Sequence, residues 1–226
     1  MSLIDNPPKI ALSENFTQTI IEVHGDKGRV WLNELPSLLA DCTQRWSLTL
    51  QPPFNLSYNY VAPAIRADGT EVVLKVGVPN PELLTEIAAL QFDEGRGMAR
   101  LLETEPERGI LLLERLRPGT TLATLADDRQ ATTIAAGVMR QLWRPLLPDH
   151  PFPSVVKWAK GLERLRQHYQ GGTGPFPAYL VEAAERLFAD LIASMAEPPP
   201  EMSSASRSAS FGFSVAGPMS ESTYSR

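Results

Sequence analysis

One turn constrains this fold more than any other feature: Asp68-Gly69 stands between two runs of β-forming residues. The first run is "YNYVAPAIR" and the second is "EVVLKV". Asp-Gly is typical of tight hairpin turns, because the central positions need a positive φ that these residues tolerate. The sequence therefore predicts an antiparallel hairpin. Pro63 either shortens its first strand or places it at a sheet edge, since proline cannot donate to the ladder.

A helix and a second hairpin are predicted after this turn. Asn80 is a suitable N-cap, and Pro81 suits the first position of a helix. Behind them, apolar residues recur at helical spacing, at Leu83, Leu84, Ile87 and Leu90. The stretch "GMARLLETEPERGILLLERLRPG" then predicts two more strands around the turn "EPERG". This order is typical of an antiparallel sheet that carries one helix.

Shifts in composition divide the chain into four segments. Residues 1–30 are polar and irregular and predict an extended arm, whereas 31–118 predicts a lobe with the sheet, beginning with a helix that Pro36 interrupts. Three amphipathic segments make 119–197 a helical lobe. Residues 198–226 are Ser-rich and interrupted by proline, a composition that cannot bury a core and predicts disorder. The predicted fold class is α+β.

The bulk composition excludes several classes of protein. Hydrophobic residues make up 43% and charged residues 21%, which is ordinary for a globular chain. A net charge of -5, without a basic stripe, argues against a nucleic-acid binder. The single cysteine, Cys42, forms no internal disulfide and suits a reducing compartment. No apolar run approaches the roughly 20 residues that cross a bilayer. We therefore expect a cytoplasmic protein that binds neither nucleic acid nor membrane.

Two charged residues stand at positions where the pattern favours apolar ones. Lys75 lies in the strand "EVVLKV", where alternation places it on one face with Val73 and Gly77. Glu86 lies on or beside the apolar stripe of the following helix, where an acid costs stability unless a cation meets it. From the residues alone, two interpretations remain open. Lys75 guards a strand edge and Glu86 is a solvated acid, or the two form an ion pair that handles phosphate.

A resemblance to a known family favours the second interpretation. The strings "VVLKVGVPNPELLTEIAAL" and "GMARLLETEPERGILLLERLRPGTTL" closely resemble the aminoglycoside and hydroxyurea phosphotransferase family, near its streptomycin 6-kinase branch. The resemblance covers about residues 30–197. It implies a protein-kinase-like fold, with an antiparallel-sheet N-lobe carrying one helix and a partial helical C-lobe. It also implies transfer of phosphate from ATP to a hydroxyl of a small-molecule acceptor, an aminoglycoside such as streptomycin or hydroxyurea.

The resemblance assigns roles to several residues of the first lobe. Lys75 orients the α- and β-phosphates of ATP, and Glu86 holds Lys75, as in the V-A-I-K lysine and helix glutamate of protein kinases. Backbone groups near Glu114 and Leu116 bind the adenine edge, and Val73 lies above the ring. From the residues alone, "ILLLERL" is equally compatible with a buried strand that ends in a polar turn.

The loop "NLSYNY" takes the place of the phosphate-covering loop in this resemblance. Ser57, Tyr58 and Asn59 would then contact phosphate, although the segment lacks the G-x-G-x-x-G of protein kinases. A polar hairpin tip without a ligand explains the same residues equally well. A fructosamine or choline kinase relative is a further alternative for the whole chain.

The part of the family pattern that transfers phosphate is absent. Family members carry H-G-D-x-x-x-x-N and an I-D-P-type stretch, which supply a catalytic aspartate and Mg²⁺ ligands. Residues 197–226 contain no His, Asn or Asp. We therefore expect an inactive, truncated or frame-shifted member, without ligands for the Mg²⁺ that the family uses. Other reading frames beyond Pro198 would reveal the motif if a frame shift occurred. The alternative is a pseudokinase-like fragment that binds a nucleotide or a partner without chemistry.

Overall fold

The computed structural model describes residues 12–146 and 149–196. The predicted disordered tail, 198–226, and the first 11 residues of the predicted arm lie outside this part of the chain. The chain divides into two compact units, one running to Val138 and the other beginning at Met139. Each unit is described by itself.

A five-stranded antiparallel sheet forms the centre of the first unit. Its spatial order is β1-β2-β3-β5-β4. The strands are β1 (Leu48–Leu50), β2 (Tyr60–Arg66), β3 (Glu71–Val76), β4 (Leu101–Glu105) and β5 (Ile110–Glu114). The two predicted hairpins are confirmed: β2 pairs with β3, and β4 pairs with β5 around a turn of 3₁₀ helix, Pro106–Arg108.

In the turn between β2 and β3, the positive φ that the sequence predicts is adopted by Gly69 and not by Asp68. Gly69 adopts a φ of 86°, and its N–H donates to the Arg66 carbonyl at 2.9 Å. The Asp68 carboxylate accepts the Thr70 N–H at 2.9 Å, which closes the turn from its other side. This hydrogen bond is the first cause of a lowered pKa for Asp68.

Pro63 does not place β2 at an edge, and that prediction is wrong. The strand lies between β1 and β3, and Pro63 pairs with Val73. The Pro63 carbonyl accepts the Gln51 N–H at 2.8 Å, so the backbone polar groups of this residue point toward β1. Because β1 ends at Leu50, Pro63 lies opposite the first residue after that strand. Its missing N–H therefore interrupts no pair within β1. A short neighbouring strand thus tolerates proline inside the sheet.

Two helices replace most of the predicted extended arm. They are α1 (Glu14–His24) and α2 (Asp26–Arg45). Ser13 caps α1, because its Oγ accepts the Phe16 N–H at 3.2 Å. Phe16 and Ile20, four residues apart, are both fully buried. This spacing on a capped segment is the local reason for the helix.

Helix α2 begins before the predicted one and contains Pro36 in its interior rather than at its first turn. Its buried face includes Trp31, Leu35, Leu39 and Cys42. Burial of this continuous face offsets the hydrogen bond that proline removes. The same burial raises the pKa of the Cys42 thiol to about 11.

Helices cover both faces of the sheet, with α1 and α2 on one face and a third helix on the other. One hydrophobic cluster joins α1 and α2 to the first face, which includes Val72, Leu74 and Leu112. A second cluster joins α3 (Pro81–Asp93) to the opposite face through Leu111. The predicted cap of α3 is present, since Asn80 Oδ1 accepts the Leu83 N–H at 2.9 Å. Leu84 leaves the predicted apolar stripe, being 46% exposed. The α+β, protein-kinase-like fold class is confirmed.

The second unit contains two of the helices predicted beyond the sheet, α5 (Val155–His168) and α6 (Ala178–Ala196). Arg166 joins them, donating through Nε and Nη2 to the two Glu185 oxygens, each at 2.8 Å. The division between units falls within α4 (Asp128–Leu142), not near residue 118. The linker after β5 belongs to the first unit because Arg117 binds Glu71 on β3.

Candidate functional site

Lys75 and Glu86 form an ion pair on one face of the sheet. Lys75 Nζ lies 2.5 Å from Glu86 Oε1 and 2.7 Å from Oε2. The side chains are 16% and 23% exposed. An ammonium group has three N–H donors, and the Glu86 carboxylate meets it from one side through a charge-assisted contact of both oxygens. The arrangement holds a cation at a fixed point of a largely apolar face.

Local sequence explains why the two side chains meet. Alternation along β3 places Lys75 on the α3 side of the sheet, opposite Leu111 of β5. On α3, Glu86 lies one turn from both Leu83 and Leu90, which are buried against that side. Because Asn80 fixes the start of the helix, it also fixes which residues face the sheet. The ion pair, one of the two interpretations that the residues left open, is therefore present in the fold.

Val73 lies on the same face as Lys75, two residues earlier in β3. Its partners across the sheet are Pro63 on β2 and Leu113 on β5. All three are half-buried. They are apolar neighbours of the ion pair on the same face of the sheet.

Glu114 and Leu116 lie where β5 passes into the linker. The Glu114 N–H donates to the Arg100 carbonyl at 3.0 Å, and its carboxylate accepts the Arg100 N–H at 2.9 Å. These two bonds fix the end of β5 against the residue before β4. Leu116 follows beyond the paired residues, with 53% of its surface exposed. The N–H of Glu114 is thus hydrogen-bonded to the residue that precedes β4, whereas Leu116 lies beyond the last paired residue of β5.

The predicted phosphate-covering segment lies in the loop between β1 and β2. Ser57 is exposed, and Tyr58 and Asn59 are half-buried. Asn59 Oδ1 lies so close to Gly77 that a Cβ at position 77 would overlap it. Since Asn59 directly precedes β2 and Gly77 directly follows β3, this contact places the last residue of the loop beside the end of β3 where Lys75 lies. Only glycine permits that approach.

Two contacts of the site escape prediction from sequence. Arg115 lies over the Phe54 ring, with Cζ 4.7 Å from the ring centroid. Arg117 donates to both Glu71 oxygens, at 2.5 Å and 3.1 Å. This pair lowers the pKa of Glu71 and raises that of Arg117. The sequence shows an aromatic residue, Phe54, before a polar loop, and two arginines after β5. No local pattern indicates which residues these side chains contact.

Within 12–146 and 149–196, no three His, Cys, Asp or Glu side chains are grouped to hold a metal ion. None of the helices there combines the length and apolar character needed to cross a membrane.

Comparisons with known proteins identify the family of this chain. The model of a family described as aminoglycoside/hydroxyurea antibiotic resistance kinase matches residues 46–200. The chain is 38% identical over 132 residues to a streptomycin 6-kinase of Streptomyces griseus, and 33% identical over 134 residues to that of Streptomyces glaucescens. The first match covers 58% of this chain and 42% of the relative, the second 59% and 44%.

A hydroxyurea phosphotransferase of Kitasatospora aureofaciens gives a longer match. It is 35% identical over 192 residues, which is 83% of this chain and 54% of that relative. The chain therefore spans about half the length of the curated relatives it matches. The family match begins after α1 and α2, includes the whole sheet and extends through α6. The chain belongs to the aminoglycoside/hydroxyurea antibiotic resistance kinase family.

Proposed function

We propose that the first unit binds ATP, with Lys75 on its α- and β-phosphates and Glu86 holding the lysine. The observation that carries this proposal is the double hydrogen bond from Lys75 Nζ to the Glu86 carboxylate. Both oxygens belong to one carboxylate and lie on one side of Nζ, so the ammonium keeps donors on its other side for a phosphate oxygen. The carboxylate also limits the rotamers of a long side chain, which reduces the entropy that binding would cost.

The same face supplies a place for the adenine ring. Val73 packs against the ring in this proposal, and backbone groups near Glu114 and Leu116 bind its polar edge. Because the Glu114 N–H already binds Arg100, the groups left for the base lie farther along the linker. This favours Leu116 as the main donor to the nucleotide.

Ser57, Tyr58 and Asn59 contact the phosphates from the loop side in the same proposal. The contact between Asn59 and Gly77 supports it, because it brings the last residue of the loop to the Lys75 end of β3. A phosphate held between the loop and Lys75 would then be bound from two directions.

The reaction to which this site contributes is transfer of phosphate from ATP to a small-molecule hydroxyl. Support comes from relatives that are named streptomycin 6-kinase and hydroxyurea phosphotransferase. We therefore propose an aminoglycoside or hydroxyurea as acceptor, an antibiotic-resistance role, and the cytoplasm as its setting.

Transfer needs groups beyond those that bind the nucleotide, namely an aspartate at the acceptor and ligands for Mg²⁺. Residues 197–226 have no His, Asn or Asp, although the family motif would follow α6. For residues 1–226 alone we therefore propose binding of a nucleotide without transfer. This second function is that of a pseudokinase-like module.

Titration with ATP tests the role of the ion pair. Lys75→Met is expected to weaken binding about tenfold or more, since it removes a hydrogen bond between charged groups. Glu86→Gln should weaken binding less, because the lysine remains but loses its anchor. Lys27→Met and Glu82→Gln are matched controls, since both residues are exposed in the same unit. Equal affinities for the wild-type chain and Lys75→Met would refute the proposal.

A phosphotransfer assay separates the two functions. We expect no product from streptomycin or hydroxyurea with the 226-residue chain, ATP and Mg²⁺, even where ATP binds. Release of ADP that depends on either acceptor and disappears in Lys75→Met would show that the chain is a complete enzyme. That outcome would contradict the module without transfer and leave the proposed ATP site intact.

A further inference from the structure

The contact between Phe54 and Arg115 joins two segments that flank the proposed nucleotide face. Phe54 lies in the loop after β1, and Arg115 is the first residue after β5. The guanidinium carbon lies 4.7 Å from the ring centroid, within the distance at which a cation is attracted to a ring face. Phe54 remains 40% exposed.

The strand register shows where this contact lies. The Phe54 N–H donates to the Val61 carbonyl at 3.0 Å, and Val61 is the partner of Lys75. On the other side, alternation along β5 places Arg115 on the face of Leu113, the partner of Val73. The two side chains therefore reach toward each other from the β1 side and the β5 side. Between them lie β2 and β3, the second of which carries Val73, the residue assigned to the base.

Neither residue belongs to the packed core. The two hydrophobic clusters of the described residues include neither Phe54 nor Arg115. Their contact can therefore open without exposing buried side chains. A contact of this kind across a binding face is suited to exchange with a ligand.

On this basis, which rests on the proposed function, we propose that Phe54 stacks on the purine of the bound nucleotide. Arg115 occupies the same ring when no nucleotide is present. A purine and a guanidinium are both flat groups that favour an aromatic face. Since the ring face that Arg115 covers can hold one of them at a time, base and arginine compete. Phe54 then favours nucleotides over inorganic polyphosphate, and Arg115 lowers the apparent affinity for them.

Two substitutions should shift affinity in opposite directions. Arg115→Gln removes the competitor and tightens ATP binding about two- to fivefold, the range that an exposed cation–π contact supports. Phe54→Leu removes the stacking face and weakens ATP binding about fivefold or more. Inorganic tripolyphosphate has no base, so both variants should bind it as the wild-type chain does.

The experiment is a calorimetric titration of the full chain with ATP and, separately, with tripolyphosphate. Arg29→Gln is the matched control for the arginine, since Arg29 is exposed elsewhere in the same unit. Phe54→Tyr keeps the ring and should retain the wild-type ATP affinity, which separates stacking from a folding defect. The melting temperature of each variant is measured alongside.

The possible outcomes distinguish this inference from the proposed function. If Lys75→Met weakens ATP binding while Arg115→Gln and Phe54→Leu leave it unchanged, the competition is wrong and the ATP site stands. Weaker ATP binding by Arg115→Gln would also overturn the competition, because the arginine would then support the nucleotide. If ATP does not bind to the wild-type chain, both proposals fail.

Discussion

The two units of this protein differ in how much of their apolar surface they bury. In the first unit, Leu74, Leu111 and Leu112 are fully buried in the sheet. In the described part of the second unit, Val181 is the one hydrophobic residue that counts as buried. Large apolar side chains there are exposed to solvent, among them Trp143, which is 55% exposed.

This difference shows that amphipathic spacing and burial are separate properties. Helices α4, α5 and α6 have the apolar periodicity of core-facing helices, as does α2. Only α2 lies against a sheet within its own unit and buries that stripe. A unit with a sheet covered on both faces contains its own core, and we expect it to account for most of the measured stability.

The largest expected effect comes from truncating a buried leucine of the first unit, compared with an exposed leucine of the second. Leu112→Ala should lower the free energy of unfolding by about 2–5 kcal/mol, because it leaves a cavity in the sheet core. Leu187→Ala is the matched change in α6, where the leucine is 60% exposed. It should cost less than about 0.5 kcal/mol.

Urea unfolding followed by circular dichroism measures both costs, and hydrogen exchange assigns them to a unit. Protection of amides in β3 and β5 should fall in Leu112→Ala and stay unchanged in Leu187→Ala. Equal costs for the two variants would mean that stability is shared between the units. That result would contradict the expectation that the first unit accounts for most of it.

The same contrast separates what sequence predicts from what it does not. The segment from β2 to α3 was predictable because each of its signals acts over a few residues. Asp68-Gly69 defines the turn, alternation selects the face of Lys75, and Asn80 sets the start of the helix that carries Glu86. With the face and the helix start fixed, the ion pair follows.

Errors arose where the outcome depended on distant neighbours. Pro63 is acceptable inside the sheet only because β1 ends at Leu50. Helix α2 tolerates Pro36 because a whole face of the helix is buried against the sheet. The contact of Phe54 with Arg115 likewise joins segments far apart in sequence, which no local pattern relates. Tertiary packing decided all three.

Removing an ion pair should change the free energy of unfolding less than removing a buried leucine. The size of this change should depend on pH. In the first unit, Arg108 Nη1 lies 2.6 Å from Asp41 Oδ2 and 2.9 Å from Glu105 Oε2, joining α2 to the turn after β4. The hydrogen bond from Arg108 is the first cause of a lowered pKa for Asp41. In the second unit, Arg166 lowers the pKa of Glu185 in the same way.

A lowered carboxylate pKa stabilises the folded state at neutral pH and less in acid. For Asp41 the contribution is complete above the ordinary aspartate pKa, about 3.9, and is lost as the pH falls through the lower folded pKa. Asp41→Asn should therefore cost at most about 1 kcal/mol at pH 6, because the group is partly solvated. The cost should shrink as the pH is lowered below 4.

The measurement is the unfolding free energy of wild type and Asp41→Asn across this pH range, with Glu185→Gln as the matched variant of the second unit. Asp41→Asn should reduce protection of sheet amides, because Arg108 loses a partner that holds α2 beside the β4–β5 turn. Glu185→Gln should affect α5 and α6 and leave the sheet amides unchanged. A cost for Asp41→Asn that stays constant between pH 6 and pH 3 would show that packing, not charge, links α2 to the turn. The acid sensitivity of the first unit would then have to come from another carboxylate, with Glu71 beside Arg117 as the next candidate.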